Sequence, residues 1–498
     1  MSKTLDSVVV VGRDAPLWIT ASVLQSALAP AGVKVTAVEL PSQLQAHDVY
    51  ASLPALEALH NQLRIDEAAL LGRTQGTFSL GQNFVDASRA TPSFFHAYGS
   101  YGAPIEGGAF FPYWLKARGL GLQVALEDFS LTAAAAKHGR MVIPDGETEV
   151  YGRTDYAYHL PALAYAAWMK RLAAQRGVAM HEATDIEVVL APEGAAVEAI
   201  GLGDGRRIPA ELFVDVTGGE ARLIGAALGV GRQSWREYFP ADRRLTASAN
   251  RFAVVPPYAE VRSWTDGWLS LHPVQSHTYV VHAYSSQFHG DDQALEAAIR
   301  VSGLALSDAA VVASDPGRRA VAWDRNCVAL GASACAFDAI HGVDLQSLQL
   351  GLVHLLALFP VHGEFAAERT EYNRTMRLSF ERIRDFQSAC YVANRYGASA
   401  FWNAARHATA SSELTHKMAT FRARGDVPML ESESFPQDSW QALFVGLGVL
   451  PATYDPTIDR TSPETMKQEF RRILGFIKDK VEQQTAHDLY LRSVCCVA

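Results

Sequence analysis

The chain has few cysteines, few charges and no long apolar run. Five cysteines among 498 residues, Cys327, Cys335, Cys390, Cys495 and Cys496, form no CxxC pair and no even-numbered framework. That spacing argues against structural zinc and against a secreted disulfide scaffold, leaving buried or incidental thiols as the default. The adjacent Cys495 and Cys496 read equally well as a reactive pair or as a plain tail. Charged residues make up 19 %, and 44 Lys and Arg fall short of 53 Asp and Glu, for a net charge of −9. A protein that neutralises many phosphates shows a basic face; none is visible here, so no nucleic-acid partner is expected. The valine run that opens the sequence is broken at once by Arg13 and Asp14, too soon for a signal-peptide core or a membrane span. A cytoplasmic protein without a membrane partner is expected, and its oligomeric state is left open. No internal repeat or low-complexity segment is present.

What is present is ordinary globular material. Hydrophobic residues make up 49 %, and the length exceeds what one hydrophobic core usually serves, so two interlocked modules are expected. Ser7 to Val11 reads as a buried strand ending at Gly12, Ala15 to Leu28 as a helix, and Lys34 to Leu40 as a second strand. This βαβ opening ends near Glu39, the place where dinucleotide-binding units put the acid that bonds a ribose hydroxyl, although a solvated strand-end Glu explains it equally. Further helices are expected over Pro54 to Leu71 and Tyr158 to Arg176, with a short strand over Val178 to His181. Glu187 to Val214 reads as a hairpin turning at Gly203–Gly205, with strands Val197–Leu202 and Arg207–Val214. Trp268 to Ser286 alternates like antiparallel strands, while Ser347 to Phe359 and most of the chain after Glu368 are helical in pattern. The expected class is α/β: a mixed-sheet nucleotide module over 1–365, with an inserted antiparallel sheet at about 90–150 and 235–320, and a helical part over 366–498.

Several segments, in their order along the chain, carry a family likeness. They are VVVVGRDAPLW (Val8–Trp18), DVTG (Asp215–Gly218), GW (Gly267–Trp268), NCVALGASACAFDAI (Asn326–Ile340), EYNRTMRLSFERIRDF (Glu371–Phe386), AFWN (Ala400–Asn403) and SWQALFVGLGVLPATYDP (Ser439–Pro456). Together the chain resembles the flavin-dependent tryptophan halogenases over nearly its whole length. The resemblance implies an FAD-binding module of the flavin monooxygenase type and a helix-rich part covering an aromatic substrate, either a small molecule or a peptide-linked side chain. It implies reduced FAD supplied by a separate flavin reductase, and no second nucleotide loop for NAD(P)H is apparent. It places Gly12, Asp14, Ala15, Trp18, Glu39, Thr217, Gly218 and Gly331 at the cofactor. It places Ser79, Trp268, Ser270, His272, Pro273 and His341 in the substrate chamber.

At several of these positions the chain departs from the family pattern. A diphosphate cradle needs glycines where the backbone turns tightly and approaches the ligand. Gly12 keeps the first, but Asp14 stands at the second and Leu17 at the third, and the next flavin-contacting loop, Ala46–Ala51, has no glycine. Ser79 occupies the position of the catalytic lysine, and a hydroxyl is neither a haloamine former nor a cationic donor. His341 occupies the position of the catalytic glutamate. In the WxWxIP signature Trp268 and Pro273 remain, while Ser270 and His272 replace the second tryptophan and the isoleucine.

His272, His277 and His282 recur every five residues, a spacing that turns successive side chains to opposite faces of a strand, so no metal is expected. Trp323, Trp402 and Trp440 read as core, and Glu381–Asp385 as a salt-bridged helix face. The leading expectation is a halogenase relative that has lost lysine- and glutamate-directed halogenation, with a weakened FAD site and with oxidation of an aromatic molecule as any remaining activity. The alternative is a non-catalytic ligand- or partner-binding protein on the same fold.

Overall fold

The computed structural model describes residues 5–146, 152–192, 196–360 and 365–495, and the chain divides into two compact units. Unit 1 comprises Met1–Thr74, Leu160–Arg236 and Asp315–Arg382; unit 2 comprises Gln75–His159, Glu237–Ser314 and Ile383–Ala498.

Unit 1 is built on the valine run. Strand β1 (Ser7–Gly12) pairs in parallel with β2 (Lys34–Glu39) on one side and with Leu212–Val216 on the other. Val8 to Val11 are at most 2 % exposed, as a central parallel strand covered on both faces requires. The six-stranded sheet runs Trp323–Asp324, Cys327–Ala329, Leu212–Val216, β1, β2, Ala179–Glu182, and only the first strand is antiparallel. Helix α1 (Asp14–Leu28) crosses from β1 to β2, buries Leu17, Trp18, Ala21 and Leu24, and packs on Ala162–Gln175. A Cβ at Gly12 would lie inside the contact distance of the Val216 carbonyl oxygen, so close strand packing alone demands this glycine.

Three expectations are corrected. The helix expected over Pro54–Leu71 is two helices, Ala55–Gln62 and Glu67–Thr74, because Arg64 turns left-handed at φ 49° and the Ile65 N–H caps the His60 carbonyl. The stretch Tyr158–Arg176 begins as the strand Ala157–Pro161, and its helix starts only at Ala162; the proline keeps Leu160 extended. Arg207–Val214 is split, with Arg207–Pro209 pairing with Val197–Leu202 while Leu212–Val216 joins the parallel sheet; Pro209 has no N–H to continue the ladder.

Unit 2 holds a seven-stranded sheet in the order Leu306–Ala313, Arg243–Asn250, His277–Tyr284, Gly267–Pro273, Ala259–Trp264, Gly81–Asp86, Phe94–Ala97. Leu269 and Leu271 face a core with Leu245, Val280 and Tyr284, closed by Ala294 and Ala298 of the helix Asp291–Ser302. By the two-residue strand period, Trp268, Ser270 and His272 face the other way. Cys327, Cys335 and Cys390 are buried and Cys495 is half-buried; Cys496 lies outside the described residues. No helix among the described residues is long and apolar enough to cross a membrane.

The end of the Leu212–Val216 strand is fixed by Asp215, which is fully buried. One carboxylate oxygen accepts from the Thr217 N–H (3.0 Å), the Thr217 hydroxyl (2.7 Å) and the Ser333 hydroxyl (3.1 Å). The other accepts from the Leu223 and Ile224 N–H groups, at 2.9 Å each. Asp215→Ala would leave these donors unsatisfied and is expected to cost about 3 kcal/mol. Urea unfolding of the variant checks this; a loss below about 1 kcal/mol would contradict it.

Candidate functional site

In open α/β sheets a dinucleotide lies beyond the carboxyl ends of the strands, against the N-terminus of the first helix. In unit 1 that place is the end of β1, the start of α1, the end of β2 and the turn after Val216. Asp14 opens α1 with φ 59° and is half-exposed; this left-handed backbone suits glycine and is tolerated by Asp and Asn. Its carboxylate therefore sits in the first helical turn, where free N–H groups and the helix dipole favour an anion. Its field reaches Tyr50, whose phenol is held well above its ordinary value by desolvation first and then by the Asp14 and Asp344 carboxylates. Arg13, 8 % exposed, donates through both guanidinium NH2 groups to the Glu220 carboxylate at 3.4 Å. Gln43 donates to the same carboxylate at 2.6 Å. The hydrogen bond from Arg13 holds the Glu220 carboxyl below the usual range. Pro16 has no N–H to offer, and the Leu17 N–H bonds the Arg13 carbonyl at 3.3 Å.

The other nucleotide-side residues are also accounted for. Glu39 pairs with Lys170 at 2.5 Å; the same ammonium reaches Glu182 at 2.9 Å and lies 5.5 Å from the centroid of the buried Trp18 ring. Ala15 and Thr217 are fully buried, and the Thr217 hydroxyl donates to Asp215 while accepting from the Arg222 N–H at 2.8 Å. Gly218 takes φ 83°, with open space where a Cβ would stand. Its N–H donates to the Ser333 hydroxyl at 3.0 Å, in the turn that begins with Gly331. Sequence reasoning selected neither Arg13 and Glu220 nor Lys170; Arg13 was visible beside Gly12, but partners 207 and 131 positions away in sequence are not.

In unit 2, Ser79 ends the strand Thr77–Ser79 and is 1 % exposed. Its hydroxyl donates to the Gly81 carbonyl at 3.3 Å and is hydrogen-bonded to Tyr98. The Trp268 Nε1 donates to the Tyr391 hydroxyl at 2.6 Å, and Ser270 Oγ lies 2.8 Å from His272 Nε2. The His159 ring stands edge-on to His272 at 5.2 Å. The Pro273 carbonyl accepts from the Thr77 hydroxyl at 2.6 Å and lies 3.2 Å from His159 Nδ1. His277 is exposed, and His282 accepts from the Trp264 Nε1 at 3.1 Å, so the three regularly spaced histidines have separate environments. Among the described residues no group of three or more His, Cys, Asp or Glu could hold a metal ion. His341 belongs to unit 1: it is 1 % exposed in the turn Ala339–His341, capped by Asp338 through the Ile340 N–H at 3.0 Å.

The parallel βαβ sheet, with α1 crossing from β1 to β2, defines an α/β protein of the FAD-binding, Rossmann-like class. The sequence profile of the tryptophan halogenase family matches residues 7–463, and the chain belongs to that family. It is similar to the flavin-dependent halogenase BrvH from Brevundimonas sp. BAL3, with 30 % identity and a TM-score of 0.92 over 98 % of this chain and 99 % of that one. It is similar to Xcc4156, a flavin-dependent halogenase from Xanthomonas campestris, with 28 % identity and a TM-score of 0.92 over 99 % of each chain. Tryptophan 6-halogenase ThaL of Streptomyces albogriseolus is 24 % identical, with 92 % of each chain covered.

Membership of a flavin-dependent family implies FAD. The scaffold matches that cofactor, but the loop at the start of α1 does not fit its diphosphate. Asp14 already supplies a carboxylate in the first turn, Pro16 removes a donor, Leu17, where the resemblance expects a glycine, has a fully buried side chain, and Arg13 is held by Glu220.

The histidines of unit 2 make the fold sensitive to acid. Burial lowers His272 and His487 from 6.5 to about 4, and His159 well below its ordinary value with a further contribution from His272. Between those values and 6.5 the unfolded chain binds more protons than the folded one. Stability is therefore full above pH 6.5 and falls as the pH drops from 6.5 toward 4. Urea unfolding between about pH 8 and about pH 5 should show this fall, and His272→Gln should make it shallower. An unchanged slope would contradict the assignment.

Proposed function

We propose that this chain holds an aromatic, tryptophan-like molecule, free or within a peptide, and does not direct a halogen onto it through a lysine and a glutamate. The observation that carries this reading is Ser79, whose buried hydroxyl is bonded to the Gly81 carbonyl and to Tyr98. A hydroxyl provides neither the amine nor the cation that directed halogenation requires. His341 adds support, since an imidazole is not the fixed anion a glutamate would be. The names of relatives such as tryptophan 6-halogenase ThaL suggest the aromatic ligand class.

Two forms of this reading each have an observation in their favour. The Asp14 loop favours non-catalytic binding, because an oxidase of this family depends on bound flavin. Ser270 favours oxidation of the ligand with reduced flavin from a separate reductase, because it stands where the resemblance places a tryptophan that restrains direct oxidation.

The test is incubation of the purified protein with L-tryptophan, FAD, NADH, a flavin reductase and bromide or chloride, with products read by mass spectrometry. The expected outcome is no halogenated tryptophan above a protein-free control. A regiospecific halotryptophan would overturn the proposal, and a hydroxylated product would select the oxidative form.

A further inference from the structure

We infer that Asp14 is a built-in substitute for the cofactor's diphosphate, so that the strand ends of unit 1 gain nothing from a ligand's phosphates. This goes beyond the functional reading and rests on it only in treating those strand ends as the family's cofactor site.

The inference combines four features at one place. The carboxylate is carried at the first position of α1, with the left-handed φ of 59° that a phosphate-loop glycine would take. It gives the helix terminus an anion belonging to the chain itself, and a diphosphate brought there would meet a like charge. One of the first-turn donors a diphosphate would use is missing, since Pro16 has no N–H. The nearest cation, Arg13, is buried and paired with Glu220, which Gln43 also holds. At the other end of the site, the ribose-side acid Glu39 is bound to Lys170. The sugar–phosphate contacts of a dinucleotide are thus replaced by pairs within the chain.

Two substitutions separate charge from shape. Asp14→Asn removes the charge with a residue that tolerates the same backbone, and Asp14→Gly also restores the space of the cradle. Isothermal titration of the full chain and both variants would use oxidised FAD and riboflavin, which share the ring system and differ in the phosphates. Circular dichroism would confirm that each protein is folded.

For the wild type, FAD is expected to bind less than about tenfold tighter than riboflavin, or neither is expected to bind measurably. Asp14→Asn is expected to gain about tenfold or more for FAD with riboflavin unchanged, and Asp14→Gly at least as much. If Arg13 instead releases Glu220 to take the diphosphate, the wild type will bind FAD more than about tenfold tighter than riboflavin, and the inference is overturned. FAD binding unchanged in Asp14→Asn overturns it as well. Regiospecific halogenation by the wild type would sink the functional reading while leaving this affinity ratio to be judged on its own.

Discussion

The strand ends of the unit 1 sheet depend on one buried carboxyl group, Asp215. Asp215 has no cationic partner among its hydrogen bonds; donors from Thr217, Leu223, Ile224 and Ser333 satisfy it instead. Buried polar groups are hydrogen-bonded in this way, so the strand end, the turn after Val216 and the Ser333 turn form one hydrogen-bonded unit. That unit leaves Gly218 open at the strand ends and commits the Thr217 hydroxyl to the fold. Gly12, pressed against the Val216 carbonyl, is fixed by the same packing. Its retention therefore reports on the sheet and says little about a phosphate.

The family's scaffold is kept in this chain, and its function is decided by the site and not by the scaffold. The sheet, α1 and the Asp215 turn meet the demands of folding, and they match known halogenases over almost the full length. Where the resemblance expects contacts to phosphate, halogen and ribose, the chain holds Asp14, Ser79, His341 and a Glu39 paired with Lys170. Each of these side chains is compatible with its local structure: Asp14 with a left-handed helix start, Ser79 with a short hydroxyl-bonded turn, and His341 with a capped buried turn.

Local features were legible in the sequence and distant pairings were not. The valine run, α1 and β2 stood out because periodicity reports burial directly. The break at Arg64 and the strand at Ala157–Pro161 were hidden by helical composition, since a left-handed residue and a cross-strand partner leave no periodic mark. The run Glu381–Asp385 looked like a salt-bridged helix face. Its ion pairs exist, Glu381 with Arg318 and Arg377 and Arg384 with Asp385 at 2.8 Å, but Arg382, Arg384 and Asp385 are buried, and the Arg384 guanidinium lies 4.3 Å from the centroid of the Tyr238 ring. Asp14 was legible as a departure from the glycine that the resemblance expects; that Arg13 would be locked to Glu220 required the fold.

The most direct test of the central claim, that the start of α1 no longer serves a diphosphate, is the visible absorption spectrum of the full chain purified without added cofactor. Any released chromophore would be identified by chromatography. The account predicts a colourless protein without stoichiometric FAD. A yellow protein carrying one FAD per chain would contradict it.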